Sequence, residues 1–324
     1  MHQMDLTEGV IWKKLILYAG PVVLSSLLQS AYSITDLIVA GWFIGKDGIS
    51  AINNASQVMM ILTQIIMGIT TGGNILMGQY FGSKDRSNRV KTNRTMFGFA
   101  LSAGALLSVL LFLLSRPILA ALRAPALEEA TAYLQVCSAG LIAIFGYNAL
   151  AAMLRSARTG MITVVLGAVL NIVLDPIFIF LFDMGVRGAA LATVLAQWAS
   201  FVVCLVYVLR HRDLFGLVRR QISFHKDKMV QILKLGIPCA VQMTVVGLSW
   251  LAMTFLINAY GVEASAASGI CAKVKDVALL VTIALYTAAT TMVAQCLGAK
   301  KFDRASRVVH VAMRLSLAVT AVLI

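Results

Sequence analysis

The sequence predicts an all-α polytopic membrane protein, because its composition, the length of its apolar stretches and the placement of its basic residues all agree with that class. Of the 324 residues, 60% are hydrophobic and only 13% are charged, and the mean hydropathy is +0.87. Soluble domains are about half apolar and about a quarter charged. A soluble fold of this size could not bury so much apolar surface, since surface-to-volume scaling leaves a large fraction exposed. Lipid must therefore surround most of the chain.

Nine stretches are long enough to be membrane-spanning helices, which need about 20 apolar residues to cross the hydrocarbon core. They lie at approximately 15–40, 50–80, 95–115, 132–153, 162–182, 187–209, 230–259, 264–296 and 308–324. The second, seventh and eighth exceed the required length and are expected to tilt, kink or extend beyond the bilayer. The ninth reaches Ile324 without a polar flank, which predicts that the chain is truncated within a spanning helix.

Lysine and arginine are concentrated in alternate loops. The segments on one side carry 19 of these residues and lie at 1–14, 81–94, 154–161, 210–229 and 298–307. The opposite loops carry only Lys46, Arg116, Arg123 and Arg187. By the positive-inside rule, the N-terminus is expected in the cytoplasm. We expect the protein in a bacterial-type plasma (inner) membrane. Because the net charge of +13 comes from short clusters between spans, we expect no nucleic-acid partner.

An internal repeat relates the beginning of the chain to its end at a constant spacing. The segment GQYFGSK at 78–84 resembles AQCLGAK at 294–300, and both lie in polar sequence between apolar stretches. The matched positions are Gly45 with Gly261, Gln79 with Gln295, Gly82 with Gly298, and Lys84 with Lys300. Chance similarity between apolar segments is the alternative, but self-similarity at a fixed spacing is typical of repeated structural units.

The repeat predicts two six-helix units, of which the first is complete and the second is cut after about three helices. The corresponding division of the chain is an N-terminal six-helix lobe at 1–209, a basic cytoplasmic inter-lobe loop at 210–229 and a partial C-terminal lobe at 230–324. Six-span halves inserted in the same orientation are typical of transporters. We therefore expect a binding site between the halves or inside one of them.

Three carboxylates fall within apolar stretches: Asp36, Asp175 and Asp276. A charged carboxylate is costly in hydrocarbon, so each needs a partner, a polar cavity or a bound proton. Asp276 follows Lys273 by three residues, and the two side chains are expected to neutralise each other on one helix face. Asp36 and Asp175 have no such neighbour, which makes them the candidates for a functional role.

The first span carries a polar stripe that ends in Asp36. Its members are Ser25, Gln29, Tyr32 and Asp36, spaced four, three and four residues apart. This spacing places them on one helix face, and a polar face on a helix surrounded by lipid has to point into the protein. Below the stripe, Pro21 lacks an N–H and crowds the carbonyl one turn earlier, so the helix is expected to bend there.

Asp175 lies in the segment NIVLDP at 171–176. Asn171 precedes it by one helical turn on the same face, and Pro176 frees the carbonyl of Ile172. Carboxylate, amide and carbonyl oxygens are hard donors that suit a small cation or a hydronium-like water. The segment therefore predicts a cation-binding position.

Asp36 and Asp175 are predicted to lie at a similar depth in the membrane. Asp36 and Asp175 lie about five and about seven residues from the outer ends of their spans, and Thr193 lies at a similar depth in the next span. Carboxylates at one level can share a site, where mutual repulsion favours uptake of a cation. The alternative is two separate buried polar contacts. We expect a shared site that takes a proton or Na⁺ in the outer half of the first lobe.

These features together resemble the multidrug and toxic compound extrusion (MATE) family. The resemblance rests on the first-span residues from Pro21 to Asp36, the NIVLDP segment, the GxxGAALAT pattern that ends at Thr193 and the repeated GQxxGxK-type loop. Because the seventh span lacks an acidic residue, the chain looks most like the branch named after the DNA-damage-inducible protein F.

The resemblance implies twelve helices in two lobes and drug export driven by inward flow of H⁺ or Na⁺, with no cofactor. The family's first-lobe cation site, including a position for Na⁺, corresponds here to Asp36, Asn171, Asp175 and Thr193, with Asn148 in the same polar network. Its substrate cleft corresponds to Gln29 and Tyr32, and its helix bends to Pro21 and Pro176.

The sequence therefore predicts a monomeric, cation-coupled antiporter that exports organic cations or amphipathic drugs and contacts membrane lipids. Two other functions stay open. A flippase for lipid-linked saccharides of the same superfamily would need a deep basic cavity, whereas the deep charges here are acidic. An intramembrane enzyme would need a motif such as HExxH or GxSxG, and the sequence contains neither.

Overall fold

A computed structural model describes residues 6–24, 26–27, 45–122, 127–157, 185–211, 215–216, 224–258 and 262–323. These residues form eight helices and no β-strand, which confirms the all-α class. The helices are α1 (11–24), α2 (Gly45–Gly82), α3 (Arg86–Ala121), α4 (Leu127–Ala157), α5 (Gly185–Arg210), α6 (Lys226–Asn258), α7 (Val262–Gly298) and α8 (Phe302–Leu323). Helices α2 to α7 are each long and apolar enough to cross a membrane.

The predicted spans compare with these helices as follows. The span at 162–182 and most of the one at 15–40 lie outside the described residues. The ninth prediction, at 308–324, coincides with α8, but α8 is not among the six helices that meet the length and hydropathy requirement. Its sequence includes Arg304, Arg307 and Arg314, and charged side chains lower the hydropathy of a helix.

The outer surface of the helices is apolar. On α3, Leu106, Val109, Phe112 and Leu113 are between 52% and 67% exposed, and α6 presents a similar row that includes Leu256 at 62%. Contiguous apolar surface of this extent would drive association in water. It is the surface expected of helices whose solvent is lipid.

Two clusters of buried side chains form the interior. The larger cluster joins α2, α3, α4 and α5, together with Phe215 from the inter-lobe loop and Ile232 from the second half. The smaller cluster joins α1 to α7 and α8, and its members from α1 are Leu15, Tyr18 and Ala19. The described part of α1 therefore packs against the second half of the chain, and the lobe boundary predicted at 209 stays a prediction.

The repeat appears in the structure as two turns with the same backbone conformation. After α2, Lys84 adopts φ of 58°, and after α7, Lys300 adopts φ of 59°. The next amide donates back over five residues in both turns, from Asp85 N to Tyr80 O at 3.0 Å and from Lys301 N to Cys296 O at 2.9 Å. This pattern is a Schellman cap. Its recurrence at the two lysines that the repeat matches agrees with the prediction.

Candidate functional site

A cavity of about 250 Å³ lies inside the first half of the chain, between α2, α4 and α5. Its lining residues are Ser56, Met59, Met60, Thr63, Gln64, Met67, Tyr133, Cys137, Ile144 and Thr193. Helix α2 supplies the first six of these because its positions one turn apart face the same side. The cavity thus combines three flexible thioethers with a few hydroxyl and amide groups, and thioethers adapt to ligands of different shape.

The structure places two of the predicted cation-site residues. Thr193 is half-buried and lines the cavity. Asn148 is also half-buried, but its amide donates to Ile144 O in its own helix at 2.8 Å, and it is not among the residues lining the cavity. The structure therefore brings Thr193, and not Asn148, into contact with this space.

The other predicted site residues are placed as follows. Pro21 is half-buried inside α1. Gln29, Tyr32, Asp36, Asn171, Asp175 and Pro176 lie outside the described residues.

The two halves meet tightly at one end of the helix bundle, where 13 of the 27 basic residues lie. We call this the basic end and define it by residues 6–9, 79–95, 155–156, 224–234 and 291–307. Hydrogen bonds and close backbone contacts join all of these segments, so the described parts of the loops predicted on one side of the membrane lie at one end of the bundle. This agrees with the loop alternation that was predicted from the distribution of lysine and arginine.

Helices α2 and α7 cross at the basic end through a reciprocal pair of contacts. A Cβ on Gly82 would collide with the carbonyl oxygen of Gln295, and a Cβ on Gly298 would collide with the carbonyl oxygen of Gln79. The repeat relates Gly82 to Gly298 and Gln295 to Gln79, so the two contacts are equivalent, as a twofold relation between the halves requires. Glycine permits this approach because it has no side chain.

Polar contacts reinforce the closure at the basic end. Gln295 is 2% exposed, and its Nε2 donates to Ser156 O of α4 at 3.0 Å. The hydroxyl of Tyr18 donates to Arg155 O at 2.7 Å and lies 3.3 Å from the Thr291 hydroxyl. These bonds hold α1, α4 and α7 together.

A second set of polar contacts joins α2 to α6. Lys228 is 5% exposed, and its ammonium donates to the Tyr80 hydroxyl at 2.8 Å and lies 4.7 Å from the centroid of that ring. Tyr80 in turn donates to Gln231 Oε1 at 3.0 Å. A buried ammonium in this position is satisfied by both a hydrogen bond and a cation–π contact.

Helices α2 and α6 also pack backbone to backbone away from the basic end. Gly68 faces Ala240 and Gly72 faces Gly236 so closely that neither glycine leaves room for a Cβ. The predictions from the sequence do not include this interface. The signal was available, since α2 contains two small-xxx-small patterns, Gly68 to Gly72 and Gly78 to Gly82, and such patterns mark close helix contacts in membranes.

Replacing Gln295 with leucine is expected to weaken the closed basic end. The change leaves the buried Ser156 carbonyl without its donor, which costs about 1–3 kcal/mol. The measurement is the rate at which a water-soluble maleimide labels Cys296, which is 0% exposed in this closed arrangement. Labelling should be faster in Gln295→Leu than in Gln79→Leu, the repeat-related control, and equal rates in the two variants would contradict the proposed role.

A match to a protein-family model shows which family the chain belongs to. The family model described as MatE matches residues 21–177 and 238–324, which together are more than half of the chain. The chain belongs to the MatE family. The matched ranges contain the predicted first-span stripe and the NIVLDP segment, and they exclude the basic inter-lobe loop.

Curated relatives agree with membership in the MatE family. The chain is 29% identical over 326 residues to the probable multidrug resistance protein YoeA of Bacillus subtilis (strain 168), covering 97% of this chain and 70% of YoeA. It is 26% identical over 272 residues to the multidrug export protein MepA of Staphylococcus aureus (strain NCTC 8325 / PS 47), covering 81% of this chain and 59% of MepA.

Solved structures share the MatE fold. One is the outward-facing conformation of a multidrug resistance MATE family transporter of the MOP superfamily, with a TM-score of 0.90 and 21% identity, covering 98% of this chain and 73% of that one. This likeness confirms the fold. As a MatE protein, the chain is an integral membrane transporter and not an enzyme, and the family requires no cofactor for small-molecule transport.

Proposed function

We propose that this MatE protein exports organic cations or amphipathic drugs in exchange for H⁺ or Na⁺. The observation that carries the proposal is the methionine-lined cavity of the first half, because Thr193 from the predicted cation set lies in its wall. A space that joins adaptable apolar side chains to a few polar groups suits amphipathic ligands of varied shape. The multidrug names of YoeA and MepA point to the same class of substrate.

The coupling cation is proposed to bind Asp36, Asn171, Asp175 and Thr193, with Asn148 as a neighbour in the same polar network. Carboxylates without a cationic neighbour are costly in the membrane, and binding of a proton or Na⁺ removes that cost. Gln29 and Tyr32 share the helix face of Asp36, so we assign them to the substrate cleft. Loading the cation site would then change the charge seen by a cationic substrate.

The first helix is proposed to respond to this change of charge at the cation site by bending. Its lower part is anchored at the basic end, where Tyr18 is 2% exposed and bonded to Arg155 O at 2.7 Å. Pro21 follows one turn later and removes a helix hydrogen bond, and the polar stripe begins beyond it. A bend at Pro21 can therefore move the stripe while the anchored segment stays in place, and Pro176 is proposed as the corresponding bend beside Asp175.

The closed basic end supports alternating access as the transport cycle. If the N-terminus is cytoplasmic, as the basic loops predict, the arrangement described here is closed towards the cytoplasm. Release of the closing contacts would then admit substrate from the cytoplasm. We further propose that the protein works as a monomer in a bacterial-type inner membrane and belongs to the branch named after the DNA-damage-inducible protein F.

The proposed function is tested with the purified protein in proteoliposomes. Movement of a fluorescent organic cation is followed under an imposed pH gradient, an imposed Na⁺ gradient or neither. We expect movement against the substrate gradient with one of the two ion gradients and none without them, because only an ion gradient supplies free energy to an antiporter. Equal movement under all three conditions would exclude cation-coupled export.

A further inference from the structure

A second cavity, of about 440 Å³, lies at the basic end between α1 and the turn that joins α7 to α8. Its lining residues are Ile11, Lys300, Lys301, Phe302, Asp303, Arg304 and Arg307. Four of these seven side chains are cationic and one is a carboxylate. The proposed transport cycle assigns no role to this cavity, and its charge indicates an anionic ligand.

Two of the four cations are already engaged by the chain itself. The ammonium of Lys301 donates to Thr7 O and to Glu8 Oε1, both at 3.2 Å. The guanidinium of Arg304 donates to Glu8 O at 2.7 Å, whereas its Nε is buried and has no partner among the described residues. These bonds fix the N-terminal segment 6–9 over the start of α8 and build one wall of the site.

The other two cations are available to a ligand. Lys300 and Arg307 are exposed, and neither has an ion pair or a hydrogen bond from its side chain within the described ranges. Lys300 lies two residues before α8 and Arg307 in its second turn, on either side of the free N–H groups of the first turn, which add positive potential. An anion between them would meet two mobile positive charges and a helix N-terminus.

The repeat-related turn in the first half shows that this arrangement is particular to the second half. There, the position of Lys301 is taken by Asp85, whose Oδ1 accepts from Asn88 N at 3.0 Å and caps α3. Asn88 stands where Arg304 stands in α8. The same backbone therefore carries a capping acid, Asp85, in the first half and two additional cations, Lys301 and Arg304, in the second. Cationic side chains cannot cap a helix N-terminus, and they favour the binding of an external anion there.

The neighbourhood of the cavity is apolar and lies at a membrane boundary. The apolar part of α7 that can cross the membrane ends at Gly298, two residues before Lys300. Phe302, which lines the cavity, is 63% exposed, and on α1 Trp12 and Ile16, close in sequence to the lining residue Ile11, are 49% and 50% exposed. Tryptophan at such a boundary is typical of the lipid headgroup level, and basic pockets there bind anionic headgroups.

We propose that this cavity binds the phosphate of an anionic phospholipid, with Lys300 and Arg307 on the phosphate and with the exposed ring of Phe302 against the acyl chains. Free inorganic phosphate has the same charge chemistry, but it would make no use of the exposed apolar side chains. The ligand class is therefore an anionic glycerophospholipid such as phosphatidylglycerol.

The test is native mass spectrometry of the purified protein with phosphatidylglycerol, with phosphatidylcholine and with inorganic phosphate as a competitor. The variant Lys300→Gln/Arg307→Gln removes two exposed charges, and Lys84→Gln/Lys91→Gln removes the repeat-related pair as a matched control. We expect the first variant to lose roughly tenfold to thirtyfold in affinity for phosphatidylglycerol, and the control less than about threefold.

Three results would overturn the proposal. Phosphatidylglycerol and phosphatidylcholine could bind equally well, both double variants could lose affinity equally, or inorganic phosphate could displace the lipid at comparable concentration. Circular dichroism of both variants checks that they fold, and all four substituted side chains are exposed, where polar substitutions are usually tolerated.

Discussion

Valine in place of Gly82 is expected to prevent the basic end from closing and to reduce efflux by roughly tenfold or more. The added side chain would occupy the position of the Gln295 backbone, and a backbone contact cannot relax as a flexible side chain can. Overpacking of this kind costs about 1–3 kcal/mol or more, which is enough to shift a two-state equilibrium by a factor of ten. Gly298→Val should behave in the same way, because its side chain would meet the backbone of Gln79.

The measurement for these glycine variants combines efflux with thiol labelling. Cys296, buried at the basic end, should become reactive to a water-soluble maleimide, whereas Cys204, buried in the first-half core, should stay protected. Gly247→Val is the control, because no described atom beyond its own stretch of helix lies within 4 Å of a Cβ at that position. Unchanged protection of Cys296 in Gly82→Val, with normal efflux, would show that the crossing of α2 and α7 does not close the protein.

Asparagine in place of Asp36 is expected to uncouple export from the ion gradient and to lower gradient-driven efflux by roughly tenfold to a hundredfold. The substitution keeps the size of the side chain but removes the charge that the cation neutralises. Coupling free energies between two sites are typically about 1–3 kcal/mol, which corresponds to this range. Asp175→Asn should have a similar effect if the two carboxylates share one cation.

The control for Asp36→Asn is Glu128→Gln, which also removes one negative charge. The Glu128 carboxylate is 78% exposed and pairs with Arg116 at 2.8 Å, and exposed pairs of this kind contribute little. Efflux of this variant should be close to normal. Gradient-driven efflux that survives in both Asp36→Asn and Asp175→Asn would remove these carboxylates from the coupling mechanism.

The all-α fold class and the internal repeat could be predicted from the sequence because both depend on local patterns. Apolar stretches of spanning length identified the positions of α2 to α7, and the match between the two GxK-type loops located the turns at Lys84 and Lys300 with their shared backbone conformation. Thr193 was assigned to the site from its depth along one helix, and the structure places it in the wall of a cavity.

Contacts between distant segments could not be predicted in the same way. Nothing in the local sequence of α1 shows that Tyr18 bonds to Arg155 O and packs with α7, since that depends on how the halves meet. The pairing of Gly68 with Ala240 is similar: small residues indicate a close contact but do not name the partner. Asn148 illustrates the converse, since a polar side chain in a span can be satisfied by its own helix, here through Ile144 O.

We propose that the coupling cation and the exported molecule compete through the charge on Asp36 and Asp175. The most direct test is whether the coupling cation changes the affinity for the exported molecule. The affinity of the purified protein for a fluorescent organic cation is measured as the pH is lowered and, separately, as Na⁺ is raised. We predict weaker binding as one of the two cations increases, because cation uptake neutralises the site, and a flat response in Asp36→Asn. An affinity of the unmodified protein that is independent of both pH and Na⁺ would contradict the account.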